Sequence, residues 1–332
     1  MEGSWKSARI AFYAFCSTFA FVTLAFTVYY LTNHKGSRKK NRITDTSIRL
    51  HDETAASCSF CDESELAEIL KKNGHGEFAK GKISSLLRFI ETAETHMVEK
   101  LLVILLNCSA FTANQNAIRE CGGFPLLEAL LTHQSQTVNI KVAQVLSNLA
   151  MNEKNQQSLK DSVFAVIKNL EYSDSCNNEE VVIELLKLLV NLSATDIAHE
   201  EIMTGVPEYF NILGQTLSRQ IQQQVLRLLV NLSCNVNNLD GLLEFQPLLI
   251  LRTFMLPDNT DDIILRALTI SANLLSNSDR YTEEQQSMIT EHLNLLYSEL
   301  IAMLDHSNED IQSQAKRALR SVFAFRMMYS TL

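Results

Sequence analysis

The sequence predicts an all-α fold, a solenoid of helical repeats behind one N-terminal transmembrane helix. Three observations predict it. Ten glycines and four prolines in 332 residues are too few for the many turns of a β-sandwich or barrel. Residues 10–32 form an uncharged run long enough to cross a bilayer as a helix. Beyond them one apolar pattern recurs about every 42 residues, a period typical of helical-repeat proteins.

Hydrophobic residues at 46% and charged residues at 20% exclude a wholly disordered chain. The net charge of -9 conceals a split. Residues 1–50 carry eight Lys or Arg against Glu2 and Asp45, a balance of +6, and the remaining 282 residues sum to -15. The two parts therefore face different surroundings.

The run from Ile10 to Thr32, IAFYAFCSTFAFVTLAFTVYYLT, has 23 residues without a charge, enough for a hydrocarbon core of about 30 Å. Five phenylalanines make it apolar, and Tyr29 and Tyr30 stand where an interfacial aromatic belt is expected. A cleaved signal peptide would have a shorter apolar region ending in small residues, whereas this run ends Val28, Tyr29, Tyr30, Leu31. Lys35, Arg38, Lys39, Lys40 and Arg42 follow the span, against Lys6 and Arg9 before it, so the positive-inside rule places the bulk of the chain in the cytosol. Residues 1–9 then form a short tail, 10–32 a signal-anchor, 33–63 a flexible polar linker with the basic flank, and 64–332 the solenoid. The moderate apolarity of the span and its basic flank point to the mitochondrial outer membrane, with the endoplasmic reticulum as the alternative.

In the repeat region LLNCSA, LSNLAM, LVNLSA, LVNLSC and SANLLS place Asn107, Asn148, Asn191, Asn231 and Asn273 at spacings of 41, 43, 40 and 42. Ten, six and three residues before each asparagine, and one after it, every copy is apolar; in the third copy these are Val181, Leu185, Leu188 and Leu192. Such offsets lie on one stripe of an α-helix. Shorter apolar helices precede it in each unit. AIREC ends at Gly122 and Gly123, and Phe124-Pro125 opens PLLEALL, so glycine closes one helix and proline starts the next. Gly205-Val206-Pro207 repeats that break, but Asp161-Ser162-Val163 lacks both residues. A last, degenerate copy, IQSQAKRALRSVFAF, puts Ser321 at the asparagine position after 48 residues and suits a closing cap.

Residues 113–151, with a short first helix, a glycine break and a third helix ending Leu-x-Asn-Leu-Ala, closely resemble an armadillo repeat. The resemblance runs from about Gly81 to Asn277 and implies an armadillo-type right-handed superhelical solenoid of five to six repeats. One N-terminal span, a basic stop and a single solenoid together resemble the X-linked armadillo mitochondrial family. That resemblance implies a noncatalytic, cofactor-free adaptor on the mitochondrial outer membrane. Its expected role is in mitochondrial dynamics, distribution or transport, through partners of the Miro and TRAK type.

At 100° per residue each repeated asparagine borders the apolar stripe without entering it. Two roles are open to it. Its carboxamide can bond the neighbouring repeat and knit the stack, or it can line the concave groove and bond an extended peptide's backbone, as this asparagine does in armadillo proteins. Four and seven residues before the asparagines stand Lys100, Lys141, Lys187, Arg227 and Arg266. They predict a basic row beside the ladder, suited to an acidic or phosphorylated partner segment, in a region whose net charge is -15.

Other motifs lack the context their chemistry needs. Gly76 to Lys82 matches GxxxxGK, but Ile83 stands where a phosphate-binding loop needs Ser or Thr. Cys58 and Cys61 have C-x-x-C spacing without a second ligand pair for zinc, leaving only a redox role as the enzymatic alternative. The seven cysteines are odd in number and irregularly spaced, as free thiols would be. The glycosylation patterns at Asn107, Asn191 and Asn231 follow from their shared position in the repeat. An importin-like or nucleic-acid reader is disfavoured by the acidic solenoid and by a single tryptophan, Trp5, ahead of the span.

Overall fold

The computed structural model describes residues 60–173, 178–277 and 280–329. The expected transmembrane helix, its basic flank and Cys58 lie outside the described residues. The chain divides into two units, residues 1–57 and 58–332, and the repeats belong to the second.

Among the described residues every regular element is helical. The first repeat comprises α1 (Phe60–Lys72), α2 (Lys80–Thr92) and α3 (Thr95–Cys108). The second comprises α4 (Thr112–Glu120), α5 (Gly123–Leu130) and α6 (Gln136–Ala150), and the third α7 (Glu153–Leu159), α8 (Val163–Tyr172) and α9 (Glu179–Leu192). The fourth holds α10 (His199–Met203), α11 (Val206–Gln215) and α12 (Arg219–Ser233), and the fifth α13 (Leu239–Leu243), α14 (Pro247–Thr253) and α15 (Asp261–Leu275). Two long helices, α16 (Glu283–Ala302) and α17 (Glu309–Tyr329), close the series. The first helix begins at Phe60 rather than near Ser64, so it takes in the end of the expected linker.

The third helices stack in order, α3 on α6, α6 on α9, α9 on α12, α12 on α15 and α15 on α17. Their apolar columns form the core of that stack. Val142, Leu185, Val225 and Ala267 are fully buried, as are Val145 and Leu228. Met97 is the one half-buried member of its column, in a repeat with no earlier third helix to cover it. Burying a leucine side chain contributes about 1.5 to 3 kcal/mol, so each repeat depends on its neighbours for most of its stability.

The corners follow the local sequence. Gly122 adopts φ 72 at the break between α4 and α5, a left-handed conformation in which glycine carries no Cβ penalty. The third repeat, lacking Gly and Pro there, turns through a 3-10 segment at Lys160–Ser162, and the Ser162 hydroxyl donates to Glu128 Oε2 at 3.0 Å. In the closing repeat one 20-residue helix, α16, replaces the two short ones, which accounts for the longer spacing to Ser321. Its start is a capping box between Thr282 and Gln285.

A second set of polar residues satisfies the ends of the third helices. Asn114, Asn155 and Asn238 donate to the carbonyls of Cys108, Leu149 and Leu232 at 3.0, 3.1 and 3.0 Å. Tyr281 Oη does the same for Leu274 at 2.6 Å. In the fourth repeat Ala198 stands at the position of these asparagines, and His199 takes the neighbouring place held by Gln115 and Gln156 in the second and third, with Nε2 3.0 Å from the Ser193 carbonyl and Nδ1 2.9 Å from Asn238 Nδ2. Donation at Nε2 and acceptance at Nδ1 correspond to one neutral tautomer. These side chains supply donors to helix-terminal carbonyls that have no partner within the helix.

Candidate functional site

The five repeated asparagines sit at the seams between successive third helices. Asn148, Asn191, Asn231 and Asn273 each donate their amide to the repeat before, and Asn107 donates to the α1–α2 turn of its own repeat. Asn148 Nδ2 lies 2.9 Å from Ser109 Oγ, Asn231 Nδ2 2.9 Å from Ser193 Oγ, and Asn273 Nδ2 2.9 Å from Ser233 Oγ. Each of those serines donates its own hydroxyl to the carbonyl three residues earlier, at Leu106, Val190 and Val230. The hydroxyl is thereby oriented with its lone pairs toward the next asparagine.

The second repeat has Ala150 where the first, third and fourth have that serine. There Asn191 Nδ2 reaches instead to Ser147, at 2.9 Å from both its carbonyl and its hydroxyl oxygen. In the first repeat Asn107 donates to the Asn73 carbonyl at 2.9 Å. Asn73 and Gly74 both have positive φ, 50 and 76, and a Cβ on Gly74 would collide with the Ile104 carbonyl. The bond to the neighbouring repeat is therefore present at Asn148, Asn191, Asn231 and Asn273. It also explains the Asn-x-Ser triplets at Asn107, Asn191 and Asn231, whose serines Ser109, Ser193 and Ser233 each accept from the following repeat's asparagine.

The carboxamide oxygens differ along the ladder. Those of Asn107, Asn148, Asn191 and Asn231 accept no hydrogen bond from the described residues. Asn273 is 7% exposed, and its oxygen accepts from Arg317 Nη2 at 2.7 Å. Burial pulls the Arg317 guanidinium below its ordinary pKa. Arg317 was missed in the sequence reading, although it lies four residues before Ser321 and so in the same column as Lys187 and Arg227. Ser321 itself meets Ser276, hydroxyl to hydroxyl, at 3.1 Å.

The basic row is divided in its surroundings. Lys187 Nζ lies 2.7 Å from Glu184 Oε1. Arg266 makes a two-point contact with Asp262, at 2.9 and 2.5 Å. Burial opposes ionisation of Asp262, but hydrogen bonding and charge from Arg266 outweigh it and hold the carboxyl below its ordinary value. Arg227 lies close enough to add to that effect. Lys100 is exposed and Lys141 half-buried, and neither forms an ion pair with a described residue.

An open depression of about 610 Å³ lies away from the third helices, against α2 and the α4–α5 corner, lined by Ser84, Arg88, Glu91, Cys121 and Pro125. The GxxxxGK stretch leads into α2 rather than out of a strand, and Lys82 is paired with Glu68.

A stacked series of three-helix units with a repeated amide on each third helix defines a helical-repeat scaffold of the kind that presents a continuous binding face. The family model described as armadillo-like matches residues 80–305, and the chain belongs to that family. The match extends beyond the resemblance read to Asn277 and takes in α16. Among solved structures, an engineered protein aligns with a TM-score of 0.64 at 21% identity, covering 73% of this chain and 58% of that one. This chain thus spans little more than half of that protein's length. A designed armadillo repeat protein in complex with the peptide (KR)4 aligns with a TM-score of 0.63 at 18% identity, over 72% of this chain and 99% of that one. A computationally designed armadillo repeat protein for modular peptide recognition matches with the same TM-score, identity and coverage.

Proposed function

We propose that this protein is a noncatalytic adaptor whose third-helix face captures an extended segment of a protein partner at an organelle surface. The observation that carries the reading is the row of carboxamide oxygens at Asn107, Asn148, Asn191 and Asn231, each held in place by its own amide bond, to the α1–α2 turn at Asn107 and to the preceding repeat at the other three. A fixed acceptor at each repeat suits the regularly spaced N–H groups of an extended backbone. The armadillo designs that carry peptides on the same fold support it. One of them binds (KR)4, a basic peptide, whereas the row beside this ladder is itself basic and suits an acidic segment.

The uncharged run at 10–32 and its basic flank support anchorage in the mitochondrial outer membrane with the solenoid in the cytosol, and the resemblance to the X-linked armadillo mitochondrial family implies a role there in mitochondrial dynamics, distribution or transport through Miro- or TRAK-type adaptors. Imaging the intact chain beside one lacking residues 1–42 tests the anchor. Mitochondrial rims for the first and diffuse signal for the second are expected. A reticular pattern would assign the endoplasmic reticulum, and identical distributions would remove the anchor. Protease added to sealed organelles should degrade the solenoid, and its protection would reverse the orientation.

A further inference from the structure

We propose that capture is confined to the first half of the ladder, around Asn107 and Asn148, and selects an extended segment of a partner protein carrying carboxylate side chains. The inference rests on the ladder being a backbone-binding face. It adds where on that face the partner lies and which side chains it presents.

Two independent observations converge on those repeats. The first is hydrogen-bonding capacity. A primary amide has two N–H donors and one acceptor oxygen. Asn107 and Asn148 each place their amide nitrogen against one acceptor, so one N–H and the oxygen remain for a ligand. Asn191 and Asn231 each meet two acceptors, leaving the oxygen alone. Asn273 donates to Ser233 and to Cys234 Sγ and accepts from Arg317, and at 7% exposure the remaining lone pair of its oxygen is out of a partner's reach. Only the first two rungs can both donate to and accept from a partner's backbone. The last is closed by the protein's own arginine.

The second observation is charge. The basic side chains nearest the first two rungs, Lys100 and Lys141, have no carboxylate partner among the described residues. Farther along, Glu184 engages Lys187, and Asp262 engages Arg266 through two bonds. Free positive charge and free amide capacity thus occur on the same two helices, α3 and α6, which pack directly together.

The spacing fits one extended chain. Packed helices lie about 8 to 10 Å apart, and an extended backbone advances about 3.3 Å per residue. One rung therefore corresponds to about two to three partner residues. Side chains two residues apart project from the same side of an extended strand, so alternate carboxylates can address Lys100 and Lys141 while the intervening backbone meets the amides. Lysine ammonium groups carry no planar fork and bind as point charges, so they select for sign rather than for one acid.

The test uses the full chain in detergent and three rhodamine-labelled decapeptides of alternating sequence, Glu-Ser, Lys-Ser and Gly-Ser. The Glu-Ser peptide should bind most tightly, with affinity falling as salt is raised. Lys100→Glu with Lys141→Glu should weaken it roughly tenfold and flatten the salt dependence, with an unchanged melting curve. The charge-matched pair Lys154→Glu and Lys168→Glu, on α7 and α8, should stay within about twofold of wild type. Unchanged binding after the first pair, equal loss in the second, or preference for Lys-Ser overturns acidic capture here. If Asn107→Ala with Asn148→Ala leaves Glu-Ser binding intact while the lysine reversal removes it, the backbone-binding reading fails and acidic capture stands. Absence of binding by all three peptides sinks both.

Discussion

Arg317 donates to the carboxamide oxygen of Asn273 at 2.7 Å, joining residues 44 positions apart and filling the last amide of the ladder. The asparagine is buried and the arginine partly so, so removing the guanidinium leaves an oxygen with no other partner. Arg317→Ala should cost about 1 to 3 kcal/mol, read as a lower urea midpoint with unchanged slope. A midpoint equal to wild type would mean that water replaces the guanidinium without loss.

Lys187 and Arg266 are held by carboxylates on their own helices. Glu184→Gln with Asp262→Asn should release them yet, at physiological salt, leave the affinity for an acidic peptide within about twofold of wild type, because capture is confined to α3 and α6. A several-fold gain that persists at that salt would mean that the distal repeats also contact the partner. The second substitution also has a pH signature. Arg266 lowers the folded-state pKa of Asp262, so the pair stabilises the protein above the unfolded carboxyl value of about 3.9. That contribution disappears as the pH falls through the lower folded value. Acid titration should therefore shrink the stability difference between wild type and Asp262→Asn as the pH falls from about 3.9 through the lower folded value, and a difference independent of pH across that range would refute the assignment.

Leu185 and Leu228 are buried to 0 and 0% exposure in the third-helix stripe, whereas Leu217 is 95% exposed in the loop before α12. Leu185→Ala and Leu228→Ala should each cost about 2 to 5 kcal/mol by leaving a cavity. Leu217→Ala should stay within about 0.5 kcal/mol of wild type. Equal melting temperatures for all three variants would contradict the helix register.

Burial pushes the Cys108 thiol up to about 12, while Cys234 is exposed and Cys121 half-exposed. Because the thiolate is the reactive form, iodoacetamide at pH 8 should modify Cys234 and leave Cys108 untouched until the chain unfolds. Peptide mapping by mass spectrometry reads each site separately. Early labelling of Cys108 would show that the seam between the first two third helices opens in the native state.

The elements with strong period were legible in advance. Five asparagines and four apolar columns placed every third helix in its register, and Gly122 and Gly205-Val206-Pro207 marked two corners correctly. The third-repeat corner was obscure because a 3-10 turn at Lys160–Ser162 needs neither Gly nor Pro. The closing repeat looked degenerate because α16 fuses two helices and changes the spacing. The Asn-x-Ser triplets were visible as a pattern, but what the serine does was not, since its partner lies on the next repeat.

The sequence by itself determined the repeat, its period, the helix faces and the position of the asparagine at the border of the core. Those are properties of 3.6-residue periodicity within one helix. Only the tertiary structure decided how much of each amide remains for a partner and which cations are neutralised. Hydrogen bonds such as Asn191 to Ser147 and Arg317 to Asn273 join residues 44 positions apart, and a hydroxyl displaced by three residues can substitute for a missing one. Donor and acceptor capacity is finite and is allotted by distance across the packed seam. Equivalent asparagines in the sequence therefore became unequal rungs in the fold.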